Sequence, residues 1–130
     1  MSARILCAES DLARRRSERL RLEAAGYEVV EAGDVEAARR ILGQGRLDLA
    51  LIDAGMGWGS AAGLLGEIRS ADALERLPVI ILGGTLEGER TVQWLEAGAD
   101  ATLSRPYSLA VLVAQVGAML RRSRCIPAAG

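Results

Sequence analysis

The sequence predicts a single α/β domain: five parallel strands alternating with five helices in a doubly wound sandwich. Three observations predict it. The chain has 130 residues, one domain's worth. Short apolar runs recur along it, bounded by turn residues and partly β-branched. Between them lie segments of good helix formers with caps at their ends. Such alternation implies a parallel sheet covered on both faces, with right-handed crossovers.

The strand candidates are Ile5–Ala8, Val29–Val30, Leu49–Ile52, Val79–Leu82 and Ala101–Leu103. The first helix runs from Leu12 to Ala25 and stops at Gly26, a suitable left-handed terminator. Its apolar face is read as Ala13, Ser17, Leu20 and Ala24. Asp34 caps the second helix, which ends near Gly43. The third covers about 61–70, with Leu64, Leu65 and Ile68 at helical spacing. The fourth follows Thr85, carries Glu87 and Glu89 in its first turn and stops at Gly98. The fifth begins at Ser108 with a core stripe at Leu109, Leu112, Val113, Val116 and Leu120. Residues 1–124 are assigned to the domain, and 125–130 to a tail or the start of a linker.

Composition removes many functions. Half the residues are hydrophobic, a quarter are charged and the net charge is −1, so no overall field draws the chain to nucleic acid or an anionic membrane. No apolar run approaches the roughly 20 residues that span a bilayer, and the N-terminus does not read as a signal peptide, so a cytoplasmic location is expected. Histidine is absent, which removes histidine triads and histidine–zinc sites. Cys7 and Cys125 do not suggest a disulfide framework, and Cys7 reads as a small buried hydrophobe. The four aromatics are too scattered to stack bases. All 16 basic residues are arginine, a chain-wide habit that weakens any argument from one Lys-to-Arg change.

In doubly wound sheets, ligand chemistry sits at the carboxyl ends of the strands. Those ends carry Glu9-Ser10-Asp11, Asp53, Gly83-Gly84 and Ser104-Arg105-Pro106. Acidic groups from neighbouring strands form a cluster that needs a compensating cation, and Mg²⁺ accepts such oxygen ligands. A cationic side chain on the fifth strand stabilises an incoming phosphoryl group, and an aspartate so placed can be a nucleophile.

The stretches Arg4-Ile5-Leu6, Ala24 to Ala32, Leu47-Asp48-Leu49-Ala50-Leu51-Ile52-Asp53, Leu77-Pro78-Val79-Ile80, Leu95 to Asp100 and Arg105-Pro106-Tyr107 resemble the receiver domains of bacterial response regulators (CheY-like). The resemblance covers about residues 4 to 122. It implies a flavodoxin-like fold with strand order 2-1-3-4-5, and a non-enzymatic signalling module phosphorylated by a histidine kinase or phosphotransfer protein. By position, Asp53 matches the phosphoacceptor, Glu9 the first acid of the family's pair, and Gly55 the residue offering a backbone carbonyl to Mg²⁺. Arg105 stands where the family has a lysine, to serve the phosphoryl group or to pair with Asp53 and neutralise the pocket without metal, and Pro106 matches the proline after it, which commonly follows a cis bond.

Four departures accompany the match. Ser10 replaces the second acid, Gly83 the hydroxyl residue ending strand four and Thr102 the aromatic switch residue. Met56-Gly57 and Ser60-Ala61 depart from the family's loop. Asp11 turning inward, or Thr85 reaching back, would restore the pattern only through a bent loop. Two readings therefore stand: a working phosphoreceiver on Asp53, and a pseudo-receiver that binds proteins independently of phosphate. A small flavodoxin-like enzyme or nucleotide binder has no supporting motif. With Ser10 and Gly83 in place, Mg²⁺ binding is expected to be weak or absent, and a Ser10→Asp, Gly83→Thr variant to strengthen it.

Trp58 reads equally as a lid on the pocket or as packing on the third helix. The arginines at 14, 15, 16, 19 and 21 read as a solvated face. On the fourth helix, Val92 and Leu95 are expected to face the core and Trp94 the flank. Beside a second apolar stripe at Val111, Ala114 and Ala118, Trp94 suggests an interface for a homodimer or partner on the helix 4–strand 5–helix 5 face. With Thr102 lacking aromatic bulk, that surface is expected to be constitutively available.

Overall fold

The computed structural model describes residues 2–56, 58–83 and 88–124, with backbone alone at 58, 59, 88, 89 and 124. Its strands are β1 (Arg4–Ala8), β2 (Glu28–Ala32), β3 (Leu49–Asp53), β4 (Val79–Leu82) and β5 (Ala101–Leu103). Its helices are α1 (Leu12–Ala24), α2 (Val35–Gln44), α3 (Trp58–Ser70), α4 (Gly88–Ala97) and α5 (Leu109–Arg124). The five strands are parallel in order β2-β1-β3-β4-β5, as the resemblance implies. Thr85 as a cap, Gly57, Gly84, Glu87 and the tail from Cys125 lie outside the described residues, as do the side chains of Trp58 and Glu89.

Local chemistry explains the boundaries. Asp11 and Asp34 cap α1 and α2, accepting from the backbone N–H of Arg14 and Ala37. The Ser108 hydroxyl accepts from Val111 N–H at the head of α5. Gly26 and Gly98, with φ of 97° and 118°, end α1 and α4 in a backbone region that favours glycine.

Strand periodicity sorts the core into two clusters. Leu6, Ala8, Ala50, Ile52, Val79 and Ile81 meet α2, α3 and α4 through Ala38, Leu42, Leu64, Leu65, Ile68 and Trp94. The alternate residues Ile5, Leu49, Leu51, Ile80 and Leu82 meet α1 and α5 through Leu22, Leu112, Val116, Met119 and Leu120. β1 and β3 lie in the sheet's interior, and every residue of β3 is buried. No helix among the described residues is long and apolar enough to cross a membrane.

Two helix faces differ from the sequence expectation. On α1 the buried residues are Glu18 and Leu22, one turn apart, while Leu20 is 59% exposed. The proposed Ala13–Ser17–Leu20–Ala24 face points to solvent. A carboxylate can sit on the inner face because Tyr107 and Cys7 supply donors to it. On α4 the assignment is reversed. Trp94 is buried at 2% exposure, whereas Val92 and Leu95 are 51% and 45% exposed. An indole buries far more apolar surface than a valine, so the helix turns its largest side chain inward. Trp94 is therefore a core residue and not part of an exposed interface.

Candidate functional site

Asp53 ends β3 and pairs in register with Leu82, one residue before Gly83. Glu9 follows β1 and extends its pairing, donating its N–H to the Ala32 carbonyl at 3.0 Å. The alternation of Ile5, Cys7 and Glu9, and of Leu49, Leu51 and Asp53, carries both acids toward the α1–α5 side. Both are buried, at 0% and 1% exposure. Arg105 follows β5, and the Arg105–Pro106 bond is cis.

One nitrogen joins the two acids. Arg105 Nη2 lies 2.8 Å from Asp53 Oδ1 and 3.4 Å from Glu9 Oε1. From α1, Arg14 Nε reaches the same Glu9 oxygen at 2.9 Å. Asp53 Oδ2 accepts the Gly55 N–H at 2.9 Å. Two buried carboxylate oxygens, Glu9 Oε2 and Asp53 Oδ1, have no hydrogen-bond partner, the Arg105 contact being an ion pair without hydrogen-bond geometry. Burial first, and then the neighbouring Asp53, push Glu9 up to about 7 against the opposing pull of Arg14 and Arg105.

At two points around this cluster a Cβ would meet the site's own side chains. A Cβ at Gly55 would stand 2.5 Å from Asp53 Oδ2. A Cβ at Gly83 would stand 1.6 Å from Arg105 Nη1 and 3.1 Å from Asp53 Oδ1, and Gly83 has φ of 73°. The missing strand-four hydroxyl and the lysine-to-arginine change are thus one feature: the guanidinium occupies the space over a bare backbone. A threonine at 83, the change expected to strengthen the site, would displace the guanidinium from this place.

The other expected residues are placed as follows. Ser10 is exposed and lines a groove of about 410 Å³ with Asp34, Glu36, Met56 and Ser60, so it adds no carboxylate to the pocket. Asp11 is engaged as the α1 cap and does not turn inward. Thr102 is half-buried on β5, paired with Ile81. Arg15 and Arg19 pair with Glu31 of β2, so these two are tied to a carboxylate, while Arg16 and Arg21 are exposed. Among the described residues, no three acidic or thiol side chains gather as a metal-ligand group.

Sequence reasoning missed Arg14 and a second polar cluster. Glu18 Oε2 accepts the Tyr107 hydroxyl at 2.7 Å, and Cys7 Sγ lies 3.7 Å from Oε1. Burial pushes the Cys7 thiol and the Tyr107 hydroxyl up, with Glu18 adding to both. The available signal was spacing: Arg14, Glu18 and Leu22 recur every four residues on one helix face. Arg14, Arg105, Ser17, Glu18 and Tyr107 also line a groove of about 310 Å³ between α1 and the β5–α5 turn.

A five-stranded doubly wound domain with a buried acid pair and a cation at its carboxyl edge carries its charged groups where such sheets bind ligands. The description "Response regulator receiver domain" matches residues 5–117, and the chain belongs to that family, the receiver domains of two-component response regulators. It is 33% identical over 122 residues to the phosphate regulon transcriptional regulatory protein PhoB of Escherichia coli, covering 94% of this chain and 53% of that protein. It is 33% identical over 124 residues to the response regulator MprA of Mycobacterium ulcerans, covering 95% and 53%. The chain thus spans about half the length of these curated relatives. Among solved structures, it resembles a CheY-like receiver domain protein from Methanospirillum hungatei, with a TM-score of 0.86, 26% identity and coverage of 95% and 98%. It also resembles the receiver domain of a signal transduction histidine kinase from Syntrophus aciditrophicus, with a TM-score of 0.86, 25% identity and coverage of 99% and 98%.

Proposed function

We propose that Asp53 is the phosphoacceptor of this receiver domain, taking its phosphoryl group from a phosphohistidine on a cytoplasmic kinase or phosphotransfer protein. The observation that carries the reading is the state of the Asp53 carboxylate. One oxygen is fixed by Gly55 N–H, and the other is buried without a hydrogen bond beside Arg105. In the step, an Asp53 oxygen attacks phosphorus, an O–P bond forms, and the P–N bond of the donor breaks with its electron pair leaving on the imidazole nitrogen. Arg105 offsets the charge on the transferring group.

Receiver domains typically hold Mg²⁺ in their acidic pocket. Glu9, Asp53 and the Gly55 carbonyl suit such an ion, since two orphaned carboxylate oxygens are groups a cation satisfies. Ser10 leaves the site one carboxylate short, so binding is weak. When bound, the ion neutralises phosphoryl oxygens. Output passes through the α4–β5–α5 face, where Val92, Leu95 and Val111 are the exposed apolar residues. Thr102 gives this face no aromatic side chain to bury, so it is open to a partner or a second copy in both states.

The test is incubation with phosphoramidate and Mg²⁺, followed by intact-mass measurement and sedimentation of the same samples. Wild type should gain one phosphoryl group and Asp53→Asn none, with the same sedimentation before and after. No adduct at any Mg²⁺ concentration, or an adduct that survives in Asp53→Asn, refutes the phosphoacceptor. Association that appears only after phosphorylation refutes the constitutive face.

A further inference from the structure

Arg105 occupies a place between the two acids that a bridging cation would also seek. Its Nη2 is within 3.4 Å of both carboxylates, and the orphaned Glu9 Oε2 and Asp53 Oδ1 belong to those same groups. Arg14 is the second positive charge, so two guanidiniums already face the acid pair with no added ion. A divalent ion entering this cluster meets two cations, where in a purely acidic pocket it would meet none.

Gly83 makes that arrangement sterically available. The guanidinium fills the volume that any side chain at 83 would need, since Nη1 lies 1.6 Å from a Cβ built there. Arg105 also has a second place to go. It borders the groove of about 310 Å³ beside Ser17 and Glu18, and its Cζ lies 5.7 Å from the centroid of the Tyr107 ring, which faces that groove.

We propose that Arg105, seated over Gly83, is a built-in competitor for the divalent cation: metal enters only as the guanidinium withdraws from between Glu9 and Asp53 toward the groove at Tyr107. The inference rests on the Asp53 pocket being the receiver site, and it adds to the missing carboxylate at Ser10 a second cause of weak metal binding, Arg105 and Gly83 together.

The test is a Mg²⁺ titration of unphosphorylated protein, followed by backbone amide chemical shifts at residues 9 and 53–56. Arg105→Gln should bind Mg²⁺ at least about tenfold more tightly than wild type, about 1.4 kcal/mol. Gly83→Ala, which keeps the arginine but evicts it from its seat, should shift affinity the same way, although its positive φ makes it the less stable variant. Should Gly83→Ala fail to fold, Arg105→Gln carries the test alone. Arg105→Gln binding Mg²⁺ no more tightly than wild type overturns the inference. Tighter binding by Arg105→Gln in a protein never phosphorylated on Asp53 would leave this inference standing and remove the proposed phosphoacceptor. Wild type that phosphorylates readily, with Mg²⁺ affinity equal to that of Arg105→Gln, does the reverse.

Discussion

On the side of the sheet covered by α2, α3 and α4, the buried cluster from Leu6 to Ala99 is built of aliphatic residues and one indole. On the α1–α5 side, the aliphatic cluster is interrupted by Cys7, Glu9, Glu18 and Asp53, and the last three are the buried polar or charged residues among those described. The first side stabilises by area removed from water. The second gives up part of that gain to hold carboxylates at set positions. Even there, the two acidic sites differ. Glu18 is served by a hydroxyl and a thiol, donors that fix it in place. Glu9 and Asp53 face guanidiniums and each retains an unsatisfied oxygen. A carboxylate satisfied by neutral donors holds structure together, and one with an oxygen left beside a movable cation can exchange that cation for a ligand.

The largest effect expected from breaking this contrast is on the apolar side. Trp94→Ala should cost about 3–5 kcal/mol in urea unfolding, the range for emptying a large aromatic from a core. Mg²⁺ titration of the surviving fold should be unchanged, because the pocket acids Glu9 and Asp53 are carried on the opposite, α1–α5 side of the sheet. A cost below 1 kcal/mol would place the indole back at the surface.

A smaller effect is expected at the fixed acid. Tyr107→Phe removes the hydroxyl that serves Glu18 and should cost about 1.5–3 kcal/mol, as for hydrogen bonds to charged groups. Cation affinity should again hold steady, since the ring under Arg105 remains. A large change in Mg²⁺ binding in this variant would mean that the two acidic sites act as one.

A third effect is on pH dependence. Glu9 stands at about 7 in the fold against an ordinary 4.5. Between those values the folded protein binds a proton that the unfolded chain has released, so this stabilisation is full below the ordinary value and is lost as pH rises through about 7. Thermal midpoints should therefore fall from about pH 5 to pH 8 in wild type. In Glu9→Gln this part of the slope should disappear, and an unchanged slope would show that Glu9 is not the group responsible.

How much of this was legible differs by element. β3 reads directly, because Leu49-Ala50-Leu51-Ile52 is a continuous apolar run ending in a charge, and only an interior strand tolerates burial on both faces. The cap at Asp34 reads as well, since it acts within three residues of itself, whereas Asp11, considered only as an acid for the site, caps α1. The phases of α1 and α4 did not. Periodicity offered more than one face for each, and the choice lay with distant residues: Tyr107 and Cys7 for Glu18, and the opposing apolar cluster for Trp94.

The order of strands and helices, the carboxyl-edge position of Glu9, Asp53 and Arg105, and the family match were determined by the sequence itself. They follow from local pattern and from residue types at fixed offsets. Tertiary structure alone decided that Arg105 bridges both acids, that Arg14 joins them from α1, and that Gly83 is the arginine's seat. The physical reason is distance along the chain: 96 residues separate Glu9 from Arg105. No periodicity encodes which of a guanidinium's nitrogens will find two carboxylates, or which missing side chain leaves it room. Packing settles both only when the strand ends have been brought together.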